Sequence, residues 1–106
     1  MNPEPGFDLH PGAAQDITEI WEHIADDNVP AARRFRMEIF DAISSLVPFP
    51  HQGHKRPDLT KRPLRFRPVR EYLIAYAPEE KPLLVIAVLH GRRNPQAIST
   101  ILEQRQ

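Results

Sequence analysis

The hydrophobic pattern of this chain changes its period at Gly53. Before Gly53, apolar residues recur at three- and four-residue spacing, which is typical of amphipathic helices. After Gly53, apolar residues either alternate with polar ones or form short continuous runs, which is typical of strands. A chain of 106 residues has the length of about one domain. We therefore expect a single α+β domain over residues 1–106, with helices in the first half and a sheet in the second.

The first half predicts a short strand followed by two helices. The alternation "FDLH" indicates an edge or terminal strand from Phe7 to His10. A helix is expected from about Pro11 to Asp26, because proline suits the first helical turn. Its apolar stripe consists of Ala14, Ile17, Trp21 and Ile24.

A second helix is expected to begin at Pro30 and to end before Pro48. Its stripe consists of Ala32, Phe35, Ile39, Ala42, Ile43 and Leu46. The short connection "DDNVP" favours an antiparallel helical hairpin whose stripes face one layer.

The second half predicts a meander of three antiparallel strands. They correspond to "LRFRPVR", "EYLIAYA" and "LLVIAVL", and "PEEKP" joins the last two as a hairpin connection. Ile98, Ile101 and Leu102 lie at helical spacing after Pro95, which indicates a short C-terminal helix. The predicted fold is an N-terminal strand, the helical hairpin, the three-stranded meander and this last helix.

Charge is distributed unevenly along the chain. Up to Gly53 there are 3 basic and 9 acidic residues, a net charge of −6, and from His54 onward there are 11 basic and 5 acidic residues, a net charge of +6. Such asymmetry indicates a cationic region suited to an anionic partner. The sequence pI of 7.0 is nevertheless below the values typical of DNA-binding domains.

Strand alternation places some of these cations. Along "LRFRPVR", Leu64 and Phe66 point to one face of the sheet, and Arg65 and Arg67 point to the other. If the helical hairpin covers the apolar face, the arginines emerge on an open face. Pro68 interrupts the alternation, so the pattern does not determine to which face of the sheet Arg70 points.

The stretch "VLHGRRNP" ends the most apolar strand in a histidine and two adjacent arginines. Gly91 gives the backbone the freedom to turn out of the sheet before Arg92 and Arg93. The strand order decides whether these arginines meet Arg65, Arg67 and Arg70, and the sequence leaves that order open.

This combination resembles the RelE/ParE superfamily of toxins from bacterial type II toxin–antitoxin modules, over about Phe7 to Pro95. The resemblance rests on "PGAAQDITEIWEHIADD", on "PFPHQGHKRPDL" and above all on "LRFRPVREYLIAYAPEEKPLLVIAVLHGRRNP". The ending "VLHGRR" is the usual one of the ParE-like branch. The resemblance implies a RelE/ParE toxin fold, a cognate ParD- or RelB-like antitoxin in a hetero-oligomer, and operator DNA contacted only through that antitoxin. ParE-like toxins target DNA gyrase, whereas RelE-like toxins cut messenger RNA on the ribosome.

The leading hypothesis is inhibition of gyrase by binding. Its expected surface comprises Arg65, Arg67, Arg70, His90, Arg92 and Arg93. Arginine suits this role because its planar fork makes paired hydrogen bonds to carboxylates, phosphates and backbone oxygens. The structural interpretation of His90 is that its ring forms a hydrogen bond with the backbone near the turn. A homologue that only binds its antitoxin is a third possibility.

The alternative is an RNA endonuclease. Cleavage requires proton transfer as well as cations around the phosphate, and His90, Arg70 and Arg92 are the residues expected to supply them. Tyr72 and Tyr76 are weaker choices, because they fall within an apolar run. Members of the nuclease branch typically carry a tyrosine or histidine in the final segment, and "NPQAISTILEQRQ" contains neither. This departure disfavours the nuclease.

Other features limit the possibilities. His51 and His54 have a spacing that suits a metal but lack a further ligand nearby, so we expect neither a metal nor a cofactor. The chain has no cysteine and no apolar run near the roughly 20 residues that cross a bilayer. The N-terminal "MNPEPGFDLHPG" does not have the pattern of a secretory signal. These features favour a cytoplasmic location without membrane contact.

Overall fold

The computed structural model describes residues 6–106, and the part of the N-terminal prediction that concerns residues 1–5 lies outside them. Its strands are β1 (Phe7–Leu9), β2 (Arg65–Val69), β3 (Tyr72–Ala77) and β4 (Leu83–His90), and its helices are α1 (Pro11–Asp27), α2 (Val29–Leu46) and α3 (Pro95–Gln104), with a short 3₁₀ turn at Pro50–Gln52. The predicted α+β fold and element order are confirmed. Within the described residues, no helix is both long and apolar enough to cross a bilayer.

Asn28 forms the joint between α1 and α2. Its backbone N–H donates to the carbonyl of Ile24 at 2.8 Å, which closes α1. Its side-chain oxygen accepts from the N–H of Ala31 at 3.0 Å, which caps α2. One extended residue therefore ends one helix and begins the next, and the predicted hairpin has a very tight turn.

The sheet has the order β1-β4-β3-β2. β3 is antiparallel to both β2 and β4, as the predicted meander requires, and β1 joins the edge of β4 in parallel. Because β2 and β4 are both antiparallel to β3, they run in the same direction. The start of β2 therefore lies at one end of the sheet, and the ends of β2 and β4 lie at the other.

The helical hairpin covers the face of the sheet that carries Ile74, Tyr76 and Val85. The stripes of α2 and most of α1 pack there as predicted, although Ala13 is buried in place of the exposed Ala14, one position away. This layer forms the larger of two apolar cores.

The second core lies on the opposite face, and it changes one prediction. Leu64 and Phe66 are buried there with Leu59 and with Ile98 and Leu102 of α3. The helical hairpin therefore does not cover the face of Leu64 and Phe66, and neither face of the sheet is open. The expectation of an open arginine face is wrong because the C-terminal helix and the loop before β2 supply a second covering layer.

A partly buried ion pair anchors the C-terminal end of the chain to the sheet. The guanidinium of Arg105 contacts both carboxylate oxygens of Asp16, at 2.6 and 2.9 Å, and the two side chains are 18% and 12% exposed. Asp16 also accepts from the N–H of Val88, and Arg105 donates to the carbonyl of Ile86. The pair thus satisfies polar groups of β4 beyond the short β1. A Cβ at Gly12 would overlap the Arg105 guanidinium, so a larger residue there would require the arginine side chain to move.

Candidate binding surface

Two turns meet at the far end of the sheet, and we call the residues from these turns the turn rim: Arg70, Glu71, His90, Gly91, Arg92 and Arg93. Arg70 and Glu71 connect β2 to β3, where Val69 pairs with Tyr72. His90 pairs with Tyr72 at the end of β4. The N–H of Gly91 donates to the carbonyl of Glu71 at 2.7 Å, and a Cβ on Gly91 would lie 3.3 Å from that oxygen. The close approach of the two turns therefore favours glycine at this position.

His90 fixes the backbone of the turn that carries the paired arginines. Its Nδ1 accepts from the N–H of Arg92 at 3.1 Å, and its carbonyl accepts from the N–H of Arg93 at 3.1 Å. Its ring packs edge-on against that of Tyr72, with centroids 5.6 Å apart. In the neutral ring, Nε2 then carries the proton. This geometry agrees with the structural interpretation of His90.

Arg92 and Arg93 are exposed on this fixed turn. Within residues 6–106, neither guanidinium forms an ion pair or a hydrogen bond. The backbone of both residues is held, whereas their charged groups are left to solvent. Such an arrangement suits binding, because little backbone order remains to be imposed when a partner arrives.

Arg70 is paired at the same rim. Its Nε and Nη2 donate to the two carboxylate oxygens of Glu38 on α2, at 2.6 and 2.8 Å. The hydrogen bond to Arg70 holds the pKa of Glu38 below its ordinary value of 4.5, and the same pairing raises the pKa of Arg70. Arg70 also has a φ of +54°, a left-handed conformation that costs most residues energy. Arg70 therefore ties the hairpin turn to α2.

Arg65 lies away from the turn rim. It pairs with Tyr76 at the start of β2, four residues before Val69, which is about 13 Å along a strand. Its Nη1 donates to the carbonyl of Gly53 at 2.9 Å. This cation serves the loop before β2, and the structure does not bring it together with Arg92 and Arg93.

Arg67 occupies an intermediate position on the same strand. Its cross-strand partner Ile74 belongs to the core under the helical hairpin, so Arg67 faces that side at the edge of the sheet. It shares a surface depression with Arg70 and with the carboxylates of Glu38 and Asp41. The predicted arginines therefore form no single face, and only Arg70, Arg92 and Arg93 lie at the rim with His90.

The two tyrosines are held by the core. The Tyr76 hydroxyl donates to the carbonyl of Pro50 at 2.7 Å and accepts from the N–H of Gly53 at 2.9 Å. Burial is the main cause that raises the pKa of Tyr76 and also that of Tyr72. Both phenols therefore resist ionisation at neutral pH and are poor general bases.

The two histidines of the "HQGHK" segment make separate contacts. The Nε2 of His51 contacts the carboxylate of Glu79 at 2.7 Å, and His54 forms an isolated bridge with Phe66 through its backbone. Among residues 6–106, no group of three or more histidine, cysteine or acidic side chains is placed to hold a metal ion.

Comparison with known proteins gives one family match and two similar toxins. Residues 7–95 match the family model described as ParE toxin of type II toxin–antitoxin system, parDE. The chain is also 26% identical over 97 residues to Toxin ParE2 of Mycobacterium tuberculosis strain CDC 1551 / Oshkosh, a match that covers 92% of this chain and 91% of that protein. Toxin ParE2 of strain ATCC 25618 / H37Rv matches to the same extent. The chain belongs to the ParE toxin family, and the resemblance expected over Phe7 to Pro95 is confirmed.

Proposed function

We propose that this member of the ParE toxin family inhibits DNA gyrase by binding it through the turn rim. The observation that carries the proposal is the pair Arg92 and Arg93, two exposed guanidiniums without a partner in the described part of the chain, on a turn whose backbone is fixed. Guanidiniums of this kind make paired hydrogen bonds to carboxylates, phosphates and carbonyls of a target. Because gyrase acts in the cytoplasm, the same proposal places the toxin there.

Binding is favoured over chemistry because the rim offers few groups for proton transfer. The Nδ1 of His90 already accepts the N–H of Arg92. The phenol of Tyr72 is partly buried, and its pKa is raised. A nuclease would have to rely on His90 Nε2 with Arg70 and Arg92, and Arg70 is engaged by Glu38. RNA cleavage is thus the second possibility, and most of the residues that it would require already have other partners.

A cognate ParD-like antitoxin is expected to neutralise the toxin in a hetero-oligomer. A toxin of this family forms part of a two-component module. Residues outside the rim remain available for such a partner, so we expect antitoxin binding to survive changes at Arg92 and Arg93.

The first experiment induces the chain alone in growing cells. Three quantities are followed: plasmid supercoiling, chromosome breakage and messenger RNA integrity. The proposal predicts growth arrest with double-strand breaks or altered supercoiling while messenger RNA stays intact. Loss of messenger RNA with normal supercoiling would instead establish the endonuclease. Normal growth would indicate a homologue that only binds its antitoxin.

The second experiment changes the rim. The double variant Arg92→Ala/Arg93→Ala should abolish growth arrest and still bind the antitoxin. A matched control is Arg33→Ala/Arg36→Ala, which removes two exposed arginines from α2. This control should remain toxic. Full toxicity of the rim variant would refute the assignment of the site.

A further inference from the structure

The loop before β2 contains the tripeptide Lys-Arg-Pro twice, as Lys55–Pro57 and Lys61–Pro63. We infer that this loop is a second anion site and that its ligand is the phosphate backbone of nucleic acid. We call the segment 55–63 the basic loop. The inference does not depend on gyrase as the target, because it concerns a surface at the other end of the sheet from the turn rim.

Each arginine of the basic loop is used to build it. The Nη1 of Arg62 donates to the carbonyls of Leu102 and Arg105 at the end of α3, at 2.6 and 2.7 Å. Arg56 donates through Nε and Nη2 to the carboxylate of Asp58, at 3.0 and 2.8 Å. The first contact joins the loop to a helix, and the second holds its turn in shape.

The backbone of the basic loop is also held from within. The N–H groups of Leu59 and Thr60 both donate to the carbonyl of Arg56, at 2.9 and 3.1 Å. The Leu59 side chain is 1% exposed and belongs to the second core. The loop is thus a folded element, and binding a ligand does not require it to become ordered.

Each lysine of the basic loop is left exposed. Lys55 and Lys61 form no ion pair or hydrogen bond within residues 6–106. Both line one surface cavity of about 490 Å³ together with Arg56, Arg62 and Thr60, and none of the carboxylates in the described part of the chain lines it. Asp58 and Glu103 line the neighbouring depression instead. Four cations therefore line the cavity, and the two exposed lysines are the ones whose charged groups are left to solvent, with the Thr60 hydroxyl beside them.

In each Lys-Arg-Pro tripeptide the arginine holds the loop together and the lysine is exposed, and this difference indicates the ligand. Planar arginine forks recognise carboxylates in pairs, and those of the loop are already committed to Asp58 and to helix carbonyls. The free groups are lysine ammoniums, which are compact charges with little directional demand. Such charges suit the repeating phosphates of a nucleic-acid backbone, where contacts position the partner without reading sequence. An acidic peptide would be expected to engage arginines.

The location of the basic loop allows the two surfaces to act separately. The loop leads into the start of β2, and the turn rim lies at the end of that strand. A toxin bound to a DNA-associated enzyme through its rim would have the basic loop free to contact the DNA.

Salt-dependent binding of a short DNA duplex of arbitrary sequence to the purified full chain tests this inference. Each phosphate contact contributes about −0.9 to the slope of log K against log salt, measured between about 50 and 200 mM. We expect Lys55→Gln and Lys61→Gln each to reduce the magnitude of the slope by about 0.9. The chain's third lysine supplies the control, and Lys81→Gln should leave the slope unchanged. Melting temperatures of all variants should agree, because these lysines are exposed.

Other outcomes would overturn the inference. No measurable duplex binding would remove it, and equal slopes for all three lysine variants would leave the loop without a role. A slope that falls only in Arg92→Ala/Arg93→Ala would transfer the contact to the turn rim. Inorganic phosphate that displaces the duplex at equal phosphate concentration would indicate a site for free phosphate. Lysine-dependent binding of polyglutamate as tight as that of the duplex would indicate an acidic peptide.

Discussion

Arginine has opposite roles in two regions of this molecule, beside the C-terminal end of α3 and at the turn rim. At the α3 side, Arg62 and Arg105 are partly buried, and their guanidiniums are bound to backbone carbonyls and to Asp16. At the turn rim, Arg92 and Arg93 have a fixed backbone, and their guanidiniums have no partner within residues 6–106. Burial and partners, and not residue type, therefore determine which cations hold the molecule together and which can act on another molecule.

This contrast explains why a small domain ends its most apolar strand in paired cations. β4 extends beyond its short neighbour β1, and Asp16 from α1 and Arg105 after α3 satisfy the polar groups of Val88 and Ile86 on that uncovered edge. The exit of β4 needs only a turn, which His90 and Gly91 provide. The exposed side chains of Arg92 and Arg93 thus add no hydrogen bond or ion pair to the part of the fold that residues 6–106 form.

The sharpest test of the contrast removes a partly buried, paired arginine. Arg105→Ala leaves the Asp16 carboxylate partly buried without its cation and exposes the carbonyl of Ile86. We expect the free energy of unfolding to fall by about 3 kcal/mol, the lower end for a broken buried pair. Urea denaturation measures the change. Arg93→Ala is the control and should alter stability by no more than about 0.5 kcal/mol. Equal effects of the two substitutions would break the contrast.

Tyr76→Phe extends the test to a neutral group on the structural side. The hydroxyl joins the carbonyl of Pro50 and the N–H of Gly53 to the sheet. Its removal leaves both backbone groups without this partner, and we expect a loss of about 2 kcal/mol in the free energy of unfolding. Tyr72→Phe is a suitable comparison, since no hydrogen bond fixes that hydroxyl to the backbone of residues 6–106. A larger loss at Tyr72 would contradict the assignment.

Arg70 is intermediate between the bound arginines and the exposed ones, because it lies at the turn rim and pairs with Glu38. Two substitutions separate the contribution of this ion pair from that of the left-handed backbone. Both Arg70→Ala and Arg70→Gly remove the contact with Glu38, but only glycine adopts a φ of +54° without strain. The glycine variant should therefore be more stable than the alanine variant by about 1 kcal/mol. Thermal or urea unfolding of the two proteins measures the difference. Equal stabilities would show that the turn relaxes when the arginine is lost.

The smallest expected effect is a change in acid sensitivity. The pKa of Glu38 is lowered in the folded state, chiefly by its hydrogen bond to Arg70. The ionised carboxylate thus stabilises the fold above its ordinary pKa of 4.5, and this contribution is lost as pH falls through the lowered value. Glu38→Gln should show a shallower decline of stability with acid over that range. Glu22→Gln, on the exposed side of α1, should follow the unchanged protein.

The order and bounds of the elements could be predicted because the signals are local. Proline and asparagine mark the helix joint, and the stripe of α2 was recovered in full. The three strands of the meander follow from their apolar runs and the intervening turns. The family resemblance rested on the same ordered segments, and the match over residues 7–95 confirmed it.

The arrangement of the cations could not be predicted, because it depends on contacts between distant segments. Asp16 and Arg105 meet across almost the whole chain, and neither position carries a local sign of its partner. Leu64 and Phe66 were assigned to the hairpin side, because a single covering layer was assumed. Glu38 was missed as the partner of Arg70, since an acidic residue on an amphipathic helix is ordinarily only a solvated one.

The central claim is that the free arginines at the turn rim, and not the bound ones, inhibit the target. Its most direct test compares the unchanged chain with Arg92→Ala/Arg93→Ala in a DNA supercoiling assay with purified gyrase. The account predicts that the chain inhibits gyrase and that the variant, with an unchanged free energy of unfolding, needs at least about tenfold more protein for the same inhibition, which corresponds to about 1.4 kcal/mol. Equal inhibition by both proteins, or none by the unchanged chain, would contradict it.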